Sequence, residues 1–424
     1  MLFFTLGSHP TLSVAEIAAV LGVKKNYSHC SKEILLLDEV NESPEWLQNR
    51  LAGTVKIGDI VGEVKKINQD EMADLIVSLL PQPGRNDDAK RIVFGLSVYS
   101  CGAPVNELVR EAKRLGMAVK KRLKENGQAA RLVSVNTPAL TSAAVTGEKL
   151  LENGGEFVLI ATKEKILIGQ TRTVQNFNAW SDRDYGRPAR DAKSGMLPPK
   201  LARMMINLAT SPPPSLAASY GGHGLTPPRK GGGILDPFCG SGTVLMEAAL
   251  MGFTKIIGSD ISEKAIKDTE ENLKWLQNNG GPDISQIKLF VKPVENLGEE
   301  LKEKVEALVA ETYLGPSLRD RETPARLKQI SDDLEKRTFS GLLAIRGLLK
   351  KNGVAVLALP VLKVGSTIHY LPIKKLAAAA ELSIAKMIPE NLPLELQAQT
   401  SSGGLIYSRQ DQRVGREIIK LVKT

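Results

Sequence analysis

The chain has 424 residues, 42% hydrophobic and 24% charged, which is ordinary for a globular protein and too long for one comfortable core, so two or three domains are expected. Lys+Arg 56 against Asp+Glu 47 leaves a net +9, an excess that favours a polyanionic partner such as nucleic acid and says nothing about fold. Cys30, Cys101 and Cys239 fit neither a disulfide framework nor a zinc pattern, and the opening MLFFTLGSHP lacks the basic start of a signal peptide. No apolar run reaches bilayer length, so membrane insertion is excluded and a cytoplasmic setting is expected.

The first elements predict a small α+β unit. Leu2 to Leu6 is a short apolar run, and Ser13-Val-Ala-Glu16 has capping-box spacing ahead of Ile17, Val20 and Leu21, before Gly22 ends the helix. Strand-like pieces follow at 33–37 and around 55–61. A further strand is expected at 93–98, then an amphipathic helix from Asn106 to Lys124 with Leu108, Ala112, Leu115, Val119 and Leu123 on one face. Its other face carries Lys113, Arg114, Lys120, Lys121 and Lys124. Strands at 157–162 and 166–171 flank Lys163-Glu-Lys165 as a hairpin does.

The stretch 181–209 begins charged and irregular and ends as a helix with Pro198-Pro199 at its entry, where proline is tolerated. Residues 211–231, rich in glycine and proline, predict a mobile loop. From Gly233 strands and helices alternate: strand 234–235, helix 243–251, strand 255–259, helix 263–278, strand 288–291, strand 307–310, helix 324–350 and strand 353–359. That alternation implies a parallel, doubly wound sheet.

Within that half, Ile234-Leu-Asp-Pro-Phe-Cys-Gly-Ser-Gly-Thr-Val-Leu ends a strand in Asp236 and turns through two glycines into a helix. Ligands of doubly wound sheets sit outside the carboxyl ends of the strands. A dinucleotide site wants G-x-G-x-x-G, but Leu245 follows Gly240 and Gly242 where the third glycine belongs; a P-loop needs Gly-Lys-Ser/Thr, which the sequence lacks. S-adenosylmethionine poses a different problem, for it carries a sulfonium cation and two ribose hydroxyls. Asp236 suits the cation, Gly240 and Gly242 admit close backbone approach, and Asp260, ending the next strand, can accept from the ribose. The alternative for Asp260 is a helix cap, which Ser262 supplies as well. Cys239 reads as a small buried filler, and His223, on the expected loop, has no catalytic role.

DPFCGSGT resembles the cofactor motif of Rossmann-fold methyltransferases, specifically RNA methylases bearing a THUMP domain. LGSHPTLSVAEIAAVLG, VKIGDIVGEV, GQTRTVQNFNAWSDRDYGRPARD, GMLPPKLARMMINLA and IYSRQDQRVGREI look like that family's landmarks in order, so the resemblance covers most of the chain. It implies an α/β fold: a C-terminal Rossmann-like doubly wound methyltransferase sheet with an N-terminal α+β region, ferredoxin-like plus THUMP. The expected layout is a ferredoxin-like region at 1–90, a THUMP RNA-binding domain at 91–174, a linker and flexible loop at 175–232, and the methyltransferase domain at 233–424. It further implies methylation of the exocyclic N2 of a guanosine in tRNA, with S-adenosyl-L-methionine as cofactor and RNA as partner; a small activator subunit is left open.

In this reading Asp236, Phe238, Gly240, Gly242, Thr243 and Asp260 hold the cofactor. Lys113, Lys120, Lys121, Lys124 and Arg131 contact RNA phosphates, taken as a group, since any one of them is as readily a solvated surface charge. Arg183 and Arg187 either line the RNA path or belong to a salt-bridged linker. Amino methyltransferases of this type carry Asp/Asn-Pro-Pro-Tyr/Phe after the fourth strand, where acceptors hold the amine and a ring stacks on the flipped base. Here the text is Ala-Glu311-Thr-Tyr313-Leu, so Glu311 takes the acid's place and Tyr313 the ring's, one residue early. Pro293 stands where relatives place an acid for the adenine amine, leaving Glu295 to make that contact from a shifted loop. Two other readings stay open: a methyltransferase for ribosomal RNA or an adenine amine, and an RNA-binding protein whose catalytic domain is degenerate.

Overall fold

The computed structural model describes residues 1–22, 25–27, 29–81, 91–190, 196–210, 233–318, 322–365, 367–409 and 412–424. The loop expected at 211–231, His223 included, lies outside the described residues. The chain divides into two compact units, Met1–Val14, Lys24–Asn178 and Glu390–Leu396 in the first, Ala15–Val23, Ala179–Pro389 and Gln397–Thr424 in the second.

The first unit is built from β1 (Leu2–Leu6), the start of α1 (Pro10–Leu21), β2 (Ile34–Leu37), α2 (Pro44–Arg50), β3 (Thr54–Val64), α3 (Gln69–Leu79), β4 (Ile92–Ser100), α4 (Asn106–Glu125), β5 (Ala130–Val133), α5 (Ser142–Gly147), α6 (Leu150–Asn153), β6 (Gly154–Ala161) and β7 (Ile166–Val174). Helices α2 and α3 were not marked by periodicity; their signals are local caps. Ser43 accepts from the Trp46 N–H ahead of Pro44, and Asn68 accepts from the Glu71 N–H. The strands form one sheet in the order β2-β1-β3-β7-β6-β4-β5. Residues 1–90 and 91–174, set apart in the sequence reading, therefore share a single sheet, joined where β3 pairs antiparallel with β7.

Helices α3 and α4 cover one face of that sheet. Met72, Ile76, Leu115, Val119 and Leu123 pack with Phe94 and Phe157 in one buried cluster. The apolar stripe of α4 is thus spent on the core, and its lysines are left outward. A buried polar knot also crosses the 90/91 boundary. Lys56 on β3 pairs with Glu156 on β6, both all but excluded from water, and donates to the Leu140 carbonyl at 2.7 Å. Ser97 and Thr171 donate to the same carboxylate at 2.5 and 2.8 Å. Every charge there has partners, the condition under which a buried pair is tolerated.

The second unit continues the chain with α7 (Phe177–Ser181), a π-helical turn at Asp182–Gly186, α8 (Pro199–Ala209), β8 (Gly233–Asp236), α9 (Thr243–Leu250), β9 (Lys255–Asp260), α10 (Glu263–Asn278), β10 (Ile287–Val291), β11 (Val305–Glu311), α11 (Pro324–Leu348), β12 (Leu349–Val364), β13 (Thr367–His369), α12 (Ile373–Ala379), β14 (Leu382–Ile384), β15 (Leu405–Tyr407) and β16 (Val414–Lys423). Its sheet runs β10-β9-β8-β11-β12-β16-β14, with β13 against β12 and β15 against β16. β8 to β12 are parallel to their neighbours, and β16 inserts antiparallel beside β12. Strand order runs one way from β8 through β9 to β10 and the other way from β11 to β12. The reversal between β8 and β11 is the switch point at which such sheets bind ligands. α8, from the segment read as linker, has ten buried residues and contacts α9, β11, β12 and β16, so it belongs to this unit.

Candidate active site

At the switch point β8 ends in Asp236, only 2% exposed, whose carboxylate accepts the Phe238 N–H at 3.0 Å. Burial pushes this acid well above its ordinary range; the hydrogen bond opposes the shift, and Asp260 and Glu311 add to it. The chain then turns through Gly240 and Gly242, with φ of 52° and 83°, the left-handed region that other residues reach only at roughly 1–2 kcal/mol. Gly242 caps α9, and a Cβ there would stand 2.9 Å from Thr269 Cγ2. At Gly240 a Cβ would meet nothing within 4 Å, because that side opens onto a hollow.

Asp260 ends β9 and draws the turn to itself: Gly240 N–H donates to Oδ2 at 3.0 Å and Ser262 N–H to Oδ1 at 2.9 Å. Ser262 is the residue whose hydroxyl caps α10, by accepting the Ala265 N–H. Each Asp260 oxygen keeps a lone pair for a ligand hydroxyl. Cys239 is buried beside Thr269, and burial raises its thiol far above the range of a nucleophile.

The hollow has a volume of about 670 Å³, inside the range of small-molecule sites. Asp236, Phe238, Gly240, Thr243 and Asp260 line it together with Glu311 and Tyr313, and β11, which ends in Glu311, pairs directly with β8, which ends in Asp236. Glu295 also reaches it and accepts from the Ser340 hydroxyl at 3.1 Å. Tyr313 is 52% exposed, with the Arg337 guanidinium 5.4 Å from its ring centre. Glu311 is ion-paired with Arg416 of β16. Arg416 is itself buried and also donates to the Met196 carbonyl at 3.3 Å.

Arg183 and Arg187, left between an RNA path and a salt-bridged linker, both bond within the protein. Arg187 is 2% exposed; its Nη1 donates to Thr243 Oγ1 at 2.7 Å, under the first turn of α9. Burial lowers its pKa. Arg183 donates to Glu247 of α9 at 2.6 Å and to the Ala179 carbonyl at 2.7 Å, its guanidinium 4.3 Å from the Trp180 ring centre. Arg203 of α8 pairs with the other Glu247 oxygen at 2.8 Å. Arg183 and Arg203 are spent on folding this unit, because a buried Glu247 demands compensation. Asn272 completes the anchoring: it accepts the Ala189 N–H at 3.0 Å and donates to the Ala189 and Ser241 carbonyls. Sequence reasoning missed Arg203, Asn272 and Arg416. The one signal for the first was an acid, Glu247, inside an apolar helix.

In the first unit, Lys113, Lys120, Lys121 and Lys124 are exposed on α4, and Lys121 stands 3.9 Å from Glu125. Arg131 lies on β5 and is ion-paired with Glu148 across a half-exposed surface. An RNA phosphate would have to displace that partner.

Strand order, switch-point hollow and acid-glycine turn together define a Rossmann-like methyltransferase fold. Residues 213–345 match the family UPF0020, described as an RMKL-like methyltransferase domain, and residues 119–271 match a family described as N6_N4_Mtase, DNA methylase. A tRNA (guanine(10)-N2)-dimethyltransferase of Methanothermobacter thermautotrophicus is 36% identical over 29% of this chain and 29% of its own length. One from Methanocaldococcus jannaschii is 30% identical over 46% of this chain and 48% of its own. This chain thus spans less than half the length of these relatives. TrmN from Thermus thermophilus is similar in fold over the whole of both chains, with a TM-score of 0.53 at 16% identity.

Proposed function

We propose that this chain is an S-adenosylmethionine-dependent RNA methyltransferase, acting in the cytoplasm on tRNA to methylate the N2 amine of a guanosine. The observation that carries the reading is one hollow lined by Asp236, Gly240 and Asp260 together with Glu311, Thr312 and Tyr313. The residues present fit the cofactor. Asp236 offers a negative wall to a cation, Asp260 offers acceptors to ribose hydroxyls, and Gly240 leaves open the space a side chain would fill. Glu295 is the acid proposed for the adenine amine, and its lining of the same hollow supports that role. When bound, the cofactor supplies an electrophilic methyl group on sulfonium sulfur.

The protein's own contribution is placement. An exocyclic amine shares its lone pair with the ring, so its nitrogen attacks well only when acceptors hold its hydrogens and the approach is in line. Glu311 supplies an acceptor and Tyr313 a ring for the unstacked base. Glu311 and Tyr313 would hold that nitrogen in line with the methyl group the bound cofactor would supply, and the amine's surplus proton would leave to solvent. The α4 lysines supply phosphate attraction. Names of the two archaeal relatives support tRNA and the guanine N2 position.

Tritiated-methyl transfer to bulk tRNA and ribosomal RNA, followed by nucleoside analysis, tests the reading. Label in N2-methylguanosine or N2,N2-dimethylguanosine of tRNA is expected; label only in ribosomal RNA or in a methylated adenine would sink it. Failure to bind S-adenosylmethionine at millimolar ligand would leave an RNA-binding module.

A further inference from the structure

We propose that Arg187 is a carboxylate subsite beside the hollow: its guanidinium receives the carboxylate at the amino-acid end of S-adenosylmethionine. The inference rests on the cofactor reading above. That cofactor is more than a cation, for beside its sulfonium it carries an ammonium and a carboxylate. The carboxylate needs a positive partner. The acids lining the hollow, Asp236, Asp260, Asp268, Glu295 and Glu311, all repel it. The cations lining the hollow are Lys264 and Arg337. Both are largely exposed and engaged within their own helices, with Asp268 at 2.5 Å and Asp333 at 2.8 Å.

Arg187 lies directly behind that lining. Its Nη1 donates to Thr243 Oγ1 at 2.7 Å and its Nη2 reaches Met196 Sδ at 3.2 Å, and Thr243 and Met196 both line the hollow. What it lacks is a bonded acid. The two oxygens of Glu247 are committed to Arg183 and Arg203, and Asp184 acts on Arg187 only through space. Nε has no hydrogen-bond partner among the described residues. Nε and Nη2 form one edge of the guanidinium, a two-donor fork that a carboxylate fills with two parallel hydrogen bonds. Here the fork holds only a thioether, a weak acceptor.

At 2% exposure bulk water does not reach the fork. A buried cation in this condition is costly until an anion completes it. Thr243 opens α9, and the start of a helix favours negative charge in the same corner. A carboxylate in place of Met196 Sδ would complete the fork. Recognition then divides by charge, with Asp236 facing the positive groups of the ligand and Arg187 its negative one.

Calorimetry on the full chain tests this with two ligands, S-adenosylmethionine and its decarboxylated form, which lacks only the group in question. The readout is the ratio of their affinities. In Arg187→Met that ratio should fall roughly 10- to 100-fold, the worth of charge-assisted hydrogen bonds, with the loss confined to the ligand that has the carboxylate. Arg187→Lys keeps the charge without the fork, so its ratio should fall between the two. The ligand-free Arg187→Met chain should melt no lower than wild type, since it sheds a buried cation that has no acid bonded to it. A ratio unchanged in Arg187→Met overturns the proposal and leaves the cofactor reading standing. So does a variant that weakens both ligands alike and melts lower, the mark of a structural brace. Should Arg187→Met not fold, the lysine variant decides, and a wild-type ratio there overturns the proposal. A wild-type chain that binds neither ligand sinks the cofactor reading and this subsite together.

Discussion

Both units bury a glutamate against a cation, and the two pairs do different work. Lys56–Glu156 in the first sheet is sealed, with Ser97, Thr171 and the Leu140 carbonyl closing the remaining valences. Arg416–Glu311 in the second is equally short of water around the guanidinium, yet its acid borders a hollow of about 670 Å³. One pair fixes strand neighbours; the other holds an acid at the wall of a cavity. A buried ion pair alone is weak evidence for either role. What tells them apart is whether the acid borders a cavity.

The largest effect should come from breaking the sealed pair. Lys56→Met strands Glu156 without its cation and should cost about 3–5 kcal/mol, read as a shifted urea midpoint. Turnover per folded molecule should stay normal, and a variant of wild-type stability would show that the pair is not structural. Next, Glu311→Ala should abolish methyl transfer while calorimetry finds S-adenosylmethionine binding intact; unchanged turnover refutes its role. Asp236→Asn should behave in the opposite way, losing cofactor affinity while gaining roughly 1–2 kcal/mol of stability above neutral pH. The sign follows from burial: with the folded-state pKa raised, the native protein binds more protons, so stability declines as pH rises above the ordinary carboxylate range. Removing the acid should flatten that decline, and a Tm–pH curve of unchanged slope would contradict it. The smallest effect concerns the surface. Each of Lys113, Lys120, Lys121 and Lys124 changed to Ala should alter stability by less than about 0.5 kcal/mol and reduce the salt slope of tRNA binding by about one. A slope untouched in the quadruple variant would remove α4 from the RNA face.

Much of the second unit was legible because its signals are local. Acid, glycines and helix follow one another from Asp236 to Leu250, and the alternating pattern around them gave the sheet its class. Arg416 was invisible for the opposite reason. It meets Glu311 only because β16 returns antiparallel beside β12, setting Arg416 opposite Pro360 while Glu311 lies opposite Ala358. No spacing rule carries that register. Arg183 and Arg187 stay between two readings in the sequence because a run of mixed charge looks alike whether it faces water or a buried acid. In the first unit the strands were readable, but β3 pairing with β7 across more than a hundred residues joins in one sheet two regions that the resemblance sets apart.

The neighbourhood of Trp180 has a practical corollary. Its indole lies under the guanidinium groups of Arg183 and Arg203, at 4.3 and 4.8 Å from the ring centre, and both clasp the acid of the helix that begins at the glycine bend. Ligand entering the adjoining cleft and tightening that helix would alter the polarity around the ring. Emission from this tryptophan, separated from Trp46 and Trp275 by single replacements, would then serve as a label-free titration signal for occupancy.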